Sequence, residues 1–281
     1  MRLALLLPAL FLSACASRAK QTEDLRRDPP REIPSAARVE NVPFIEQAAN
    51  HCGPATLAMV MNWAGRGITA DEIAPQVYNP SRQGSLQMDL ISASRRHGLV
   101  AIPLSGMRDL LREVAAGHPV IVFENLAVSW LPQWHYAVVL GYDLPRREIL
   151  LHSGPNAFQR WDMEKFERSW MLGDYWGLVV LPPGKMAASG DELAHVTAAA
   201  GLEQAGRLEE ADLVYQSLLK RSPESLLALI GRGNVAYARD DARAAVAFLR
   251  QAVRHHPGSA AARHNLSVAE NALRGNQTKA R

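Results

Sequence analysis

The stretch Gln47–Met61 constrains this chain more than any other. From Ala55 to Trp63 it is apolar on most faces, which a helix tolerates when it is buried at the centre of a domain. Cys52 stands just before that run and is followed by Gly53-Pro54. A thiol in that position lies beside unpaired main-chain N–H groups and the positive end of the helix dipole. Both favour the thiolate, the nucleophilic form of cysteine. Gly53 permits a close approach, and Pro54 is tolerated in a first helical turn, where its missing N–H costs nothing. Gln47, five positions upstream (52 − 47), can lay its side-chain amide next to the sulfur. With the N–H of Cys52 it could donate to a developing oxyanion.

A second chemical motif reads Gln133-Trp134-His135-Tyr136, followed by the apolar run Ala137–Leu140. His135 opens a strand, so its ring can project from a sheet edge while the following residues enter the core. A general base facing a helix-borne cysteine belongs at such a place. His51 adjoins the cysteine in sequence, but adjacency does not provide the angle. His97 and His118 lie near helix ends and are expected to interact with helix dipoles.

Gln47 with Cys52-Gly53-Pro54-Ala55 and Met59, followed by Trp134-His135-Tyr136, resembles the bacteriocin-processing, double-glycine leader peptidases, a papain-like group. The resemblance runs from about Val42 to Pro183. It implies an α+β fold with an N-terminal helical part and an antiparallel sheet, cysteine peptidase activity, and no metal or cofactor. In that family the strand after the histidine strand ends in an acidic residue that orients the imidazole. Here the run Glu148–Asn156 has Ser153-Gly154 at that place. His152, Ser153 and Asn156 are the candidates for orienting His135, since asparagine does this in papain itself. Asp143 and Asp162 are the nearest aspartates on either side of that run, and neither sits at the family's strand end. Arg160–Phe166 with Trp170 resembles the family's closing helix, and Trp176–Pro183 reads as a last strand ended by prolines. Thr69 and Glu72 form a capping box, with Pro75 shortening the helix that follows.

The N-terminus bears on the cysteine arithmetic. Residues 1–14 carry an early arginine and an apolar run too short to span a membrane, which reads as a signal peptide. Leu12-Ser13-Ala14-Cys15 resembles a bacterial lipobox, making Cys15 the lipidated (palmitate-bearing) first residue of the mature protein. An ordinary signal peptide with an incidental cysteine is the alternative. Ala16 and Ser17, directly after Cys15, include no aspartate, which favours an outer-membrane anchor facing the periplasm. The chain has two cysteines, so acylation of Cys15 leaves Cys52 without an intramolecular partner in an oxidising compartment. Residues 15–39, interrupted by Pro29, Pro30 and Pro34, read as a flexible tether. The formal charge of +3 on 281 residues comes from scattered arginines, and no run of interleaved basic and aromatic residues appears. Nucleic-acid binding is not indicated.

The folded part divides into a peptidase-like domain over residues 40–185 and a helical domain over 190–275. In the latter Ala211 and Ala245, Gln216 and Arg250, and Pro223 and Pro257 each stand 34 apart, the tetratricopeptide period. A third run, Ala260–Leu273, is expected to cap an all-α array that leans on the first domain. Three functional readings follow. The first is a membrane-anchored periplasmic cysteine peptidase with Cys52 as nucleophile, His135 as base and Gln47 at the oxyanion, whose repeats bind a protein partner or a peptide or protein substrate. The second is a peptidase-like binding or assembly module that no longer cleaves, motivated by the absent acidic residue. The third is a Cys-His amidase or acyltransferase acting on cell-envelope material.

Overall fold

The computed structural model describes residues 19–47 and 50–279. Cys15 and the proposed signal segment lie outside the described residues. The helix α2 (Cys52–Trp63) is where its apolar run requires, with every residue from Gly53 to Met61 buried. Before it come α1 (Lys20–Arg27) and β1 (Ala36–Arg38); after it, α3 (Ala70–Val77) leads into a short hairpin of β2 (Tyr78–Asn79) and β3 (Gly84–Ser85). α4 (Gln87–Arg96), β4 (Val100–Ser105), α5 (Met107–Ala115) and β5 (Val120–Asn125) continue the alternation. Then β6 (Trp134–Asp143), β7 (Glu148–Ser153) and β8 (Asn156–Asp162) form a meander, closed by α6 (Met163–Met171) and β9 (Trp176–Leu181).

The main sheet is antiparallel throughout, in the order β4-β9-β5-β6-β7-β8, with β1 paired to the far end of β6. The chain is thus α+β, as the sequence leads one to expect. β6 is the spine of the sheet. It pairs with β5 from Trp134 to Val139, but with β7 only from Val138 onward, so Trp134–Ala137 run past the end of that neighbour. The expected capping box is present: Thr69 Oγ1 accepts from the N–H of Glu72 at 3.3 Å, and Glu72 Oε2 accepts from the N–H of Thr69 at 2.8 Å.

Two expectations are corrected. Residues 19–39 are not a loose tether within the described chain, because α1 and β1 both find partners. Glu167, fully buried on α6, accepts from the N–H groups of Gln21 (2.9 Å) and Thr22 (2.6 Å), satisfying donors that the first turn of α1 leaves open. Gln21 Oε1 in turn accepts from the N–H of Met107 at 2.6 Å. The prolines do break the segment, but its apolar contacts rest on single residues such as Leu25 and Val39, too sparse to read as periodicity. The closing helix also begins later than its sequence suggests. Arg160–Asp162 pair with Glu148–Leu150 as the end of β8, and Asp162 then caps α6 by accepting from Glu164 and Lys165 N–H, both at 3.0 Å.

The C-terminal part is all helix: α7 (Glu192–Gln204), α8 (Leu208–Arg221), α9 (Leu226–Ala238), α10 (Ala242–His255) and α11 (Ala260–Lys279). The starts of α7, α9 and α11 are 34 apart (226 − 192, 260 − 226), as are those of α8 and α10 (242 − 208). Small residues let these helices close up. A Cβ on Gly231 would lie 2.3 Å from the ring of Tyr215, and one on Gly233 would lie 2.6 Å from Leu249. One hydrophobic core runs from the sheet through Ala198, Leu202 and Val214 to Val235. Beside it, buried Glu113 on α5 holds the connecting segment: Oε1 accepts from the N–H and the hydroxyl of Ser189, at 2.7 and 2.6 Å, and Oε2 meets His118 Nδ1 at 2.7 Å. His118 is therefore a carboxylate partner rather than a dipole partner. Among the described residues no helix is long and apolar enough to cross a membrane.

Glu167→Ala strands two main-chain donors of α1. It should lower the unfolding free energy by about 2–3 kcal/mol in denaturant titration, and speed limited proteolysis between Arg26 and Arg38. Cutting at an unchanged rate would show that this carboxylate does not hold the segment.

Candidate active site

α2 has His51 as its N-cap, with no side-chain cap and no acidic residue in its first turn. The dipole end therefore remains available to the thiol of Cys52. Three main-chain N–H groups favour a thiolate there: those of Cys52 and Gly53, and that of Tyr136 from β6. This last contact is the geometric core of the site. It sets Cys52 Sγ beside the peptide bond that joins His135 to Tyr136, at the stretch of β6 that extends past β7. Burial works against these donors and is the larger effect, leaving the thiol pKa above its ordinary value.

His135 Nε2 lies 3.0 Å from Ser153 Oγ at the end of β7. Nδ1, the ring nitrogen nearer the main chain, makes no hydrogen bond among the described residues. With no carboxylate on the ring, burial alone brings the pKa of His135 down to about 4, so at neutral pH the imidazole is uncharged. Of the three candidates for holding this ring, the structure brings up Ser153 and not the others. His152 is in register with Val138, three residues from His135, so the two-residue period of a strand turns it to the other face. There it is fully buried, accepts from the N–H of Phe158 at 3.1 Å and reaches the carbonyl of Val42 at 3.4 Å. Asn156 starts β8 as an exposed residue in register with Ser153, without contact to His135. Asp143 is at the opposite end of β6, paired with Arg146, and Asp162 caps α6. His51 stacks on Tyr78, with ring centroids 4.5 Å apart, and His97 meets Gln76 at 3.0 Å.

Gln47 lies in the segment that leads toward α2. Both polar atoms of its amide are buried and have no hydrogen-bond partner among the described residues. An unpaired buried amide costs about 1–3 kcal/mol, and such a group is ready for an incoming acceptor. The thiol opens into a cleft of about 610 Å³, between the β2–β3 hairpin on one side and Phe123, Trp134 and Tyr136 on the other. Phe123 and Trp134 stack with centroids 5.0 Å apart. His135 does not line this cleft. Among the described residues no group of three or more His, Cys, Asp or Glu side chains could hold a metal ion.

Residues 39–174 match the family model described as Peptidase_C39 like family. The matched segment holds Cys52, His135, Gln47 and Ser153. Three solved structures are similar over about half of the chain. They are a putative C39-like peptidase from Bacillus anthracis (18% identity, 54% of this chain and 98% of that chain, TM-score 0.46); a double glycine motif protease from an AMS/PCAT transporter in complex with its leader peptide (24%, 51% and 93%, 0.41); and the peptidase domain of Streptococcus ComA, a bi-functional ABC transporter (20%, 50% and 99%, 0.42). No curated protein matches the chain.

Sequence reasoning missed one neighbour of the thiol and one register partner of His135. Ser85, in the β2–β3 hairpin, lines the cleft and packs directly on the first turn of α2. A Cβ on Gly53 would fall 2.3 Å from its Oγ and 2.5 Å from its Cβ. Glu124, opposite His135 on β5, is fully buried. The one available signal was a carboxylate directly following the apolar strand residues Val120–Phe123.

Gly53→Ala tests this packing against helix propensity, which alone would favour alanine by about 1 kcal/mol. The substitution should instead lower the thermal midpoint, and Ser85→Gly in the same chain should recover most of the loss. A midpoint that rises in the single variant would contradict the contact.

Proposed function

We propose that this chain is a cysteine hydrolase that cuts peptide bonds through Cys52 and His135. The observation that carries this reading is the meeting of the Cys52 thiol with the peptide that follows His135, at the dipole end of a buried helix. In the reaction His135 Nδ1 takes the thiol proton as the sulfur adds to the scissile carbonyl. The Gln47 amide and the Cys52 N–H donate to the oxyanion, and the imidazolium returns the proton to the departing amine. Water then adds to the thioester with His135 as base, releasing the acid and the free thiol. Ser153 holds Nε2 and so fixes the ring for this exchange. The cleft bounded by Phe123, Trp134 and the β2–β3 hairpin takes one side of the peptide. The helical array, with its 34-residue pitch, fits tetratricopeptide-like repeats that bind a protein partner or the substrate, and a lipid on Cys15 would hold the molecule at the outer membrane facing the periplasm.

The absence of a carboxylate on the imidazole supports a second reading, a peptide-binding module that no longer cleaves. A neutral imidazole with a pKa near 4 and a thiol raised by burial mean that the reactive ion pair is scarce at neutral pH. Cleavage of a peptide library separates the two readings. Cys52→Ala with the fold retained should abolish hydrolysis, and Gln47→Ala should lower kcat by about 10²–10³. Hydrolysis unchanged in Cys52→Ala would end the first reading.

The sign of the pH dependence follows from the same groups. Because the folded thiol titrates above its ordinary value, alkylation of Cys52 by iodoacetamide should still be rising at pH 9. Ser153→Asp places a negative charge at Nε2, favours the imidazolium and should move that rise toward neutral pH. A profile that does not move would mean that Ser153 and His135 do not communicate with the thiol.

A further inference from the structure

Among the described residues, Glu124 is the one carboxylate that the sheet sets in register with His135. The two residues are register partners across β5 and β6, so their side chains leave the same face with Cβ atoms about 4.5–5.5 Å apart. Alternation is visible on the opposite face, where Phe123 lies against Trp134 and Tyr136, with centroids 5.0 and 4.8 Å apart. Glu124 is completely buried. Its Oε2 accepts from the hydroxyl of Ser169 on α6 at 2.8 Å, while Oε1 has no partner among the described residues. A buried carboxyl oxygen with nothing to accept from is costly in a protein interior. Here it lies on the face that also carries an imidazole whose Nδ1 is unbonded.

Resting on the Cys-His reading above, we propose that Glu124 is a positioning residue for His135: its carboxylate supplies the negative charge that holds the imidazolium formed when Nδ1 takes the Cys52 proton. Ser153 and Glu124 then divide the work that one acidic residue does in the family this chain resembles. The hydroxyl fixes the ring, and the carboxylate on the neighbouring strand balances its charge. The proton inventory closes. Glu124 gives its proton to solvent on ionising, Cys52 gives its proton to His135, and the site then holds thiolate, imidazolium and carboxylate. Burial raises the pKa of Glu124 to about 7, so the supporting charge develops around neutrality. The titratable groups that face it are His135 across the strand pair and Lys165 on α6, whose ammonium also lies over the Trp161 ring at 4.3 Å. The Ser169 hydroxyl and Lys165 both favour the carboxylate.

The test is the pH profile of Cys52 alkylation by iodoacetamide in the full chain, which needs no knowledge of the natural substrate. The wild-type rate is expected to rise as Glu124 ionises near pH 7. Glu124→Gln, which keeps an acceptor for Ser169, should lose that rise, with alkylation at pH 8 slowed by about tenfold, equivalent to one pKa unit. Glu124→Asp should retain the rise. Thermal unfolding of each variant separates a lost charge from a lost fold, and a misfolded Glu124→Gln passes the decision to Glu124→Asp and to Ser169→Ala, which should shift the rise upward in pH. If His135→Ala slows alkylation while the Glu124→Gln profile overlays the wild type, the proposal is overturned and the Cys-His reading stands. If alkylation ignores His135 altogether, both fall.

Discussion

The burial of α2 against β6 is the contact on which the rest depends. A helix apolar on most sides has no stable place except the middle of a core, and once it is there its first turn must end somewhere defined. It ends at the part of β6 that has lost β7 as a neighbour, so the N–H of Tyr136 is turned to the sulfur of Cys52 instead. Gly53 then matters for space rather than for backbone freedom, because Ser85 occupies the volume a side chain would need. The same burial that positions the thiol also opposes its ionisation. Fold stability and nucleophilicity pull in opposite directions at one residue.

That conflict makes the surroundings of His135 decisive. A hydroxyl can fix the angle of an imidazole, but it carries no charge to offset that of an imidazolium. In a desolvated site the neutral pair is then favoured, as the low pKa of His135 records. Negative charge has to come from a position the main chain already places near the ring. The register of β5 on β6 provides one such position, at Glu124. A charge there acts across strands rather than along the chain, which explains why no motif in the sequence marks it.

Most of what was legible in the sequence was local. Cys52 at a helix start, the Thr69–Glu72 box, the shortening at Pro75 and the apolar strand after His135 each follow from neighbours within a few residues. What could not be read depends on pairing. His152, Ser153 and Asn156 are equivalent in sequence as supports for His135, and the choice among them needs the β6–β7 register, which turns His152 toward Val42 and leaves Asn156 exposed. Residues 19–39 read as a tether because what orders them is remote in sequence: Glu167, 145 residues from Thr22, for α1, and β6 for β1. Arg160–Asp162 read as helix because the polar and aromatic pattern there fits either state until Glu148–Leu150 pair with it.

The helical array shows the same dependence on a few buried polar contacts. Its helices recur at a fixed pitch of 34 residues, which sets how they stack on one another but says nothing about how the stack meets the sheet. That attachment is carried by the continuous core through Leu202, Val214 and Tyr215 and by Glu113, whose buried carboxyl is held low in pKa by His118 and Ser189 despite its desolvation. Buried His195 locks the same connection from the other side, with Nε2 accepting from the N–H of Ala187 at 2.9 Å and Nδ1 against the carbonyl of Asp191 at 2.7 Å. A carbonyl can only accept, so Nδ1 is the protonated nitrogen and Nε2 the bare one; this tautomer satisfies both contacts in the neutral ring. The connecting segment is thereby held at two buried polar points, so the helical array meets the sheet through a fixed joint instead of a loose linker.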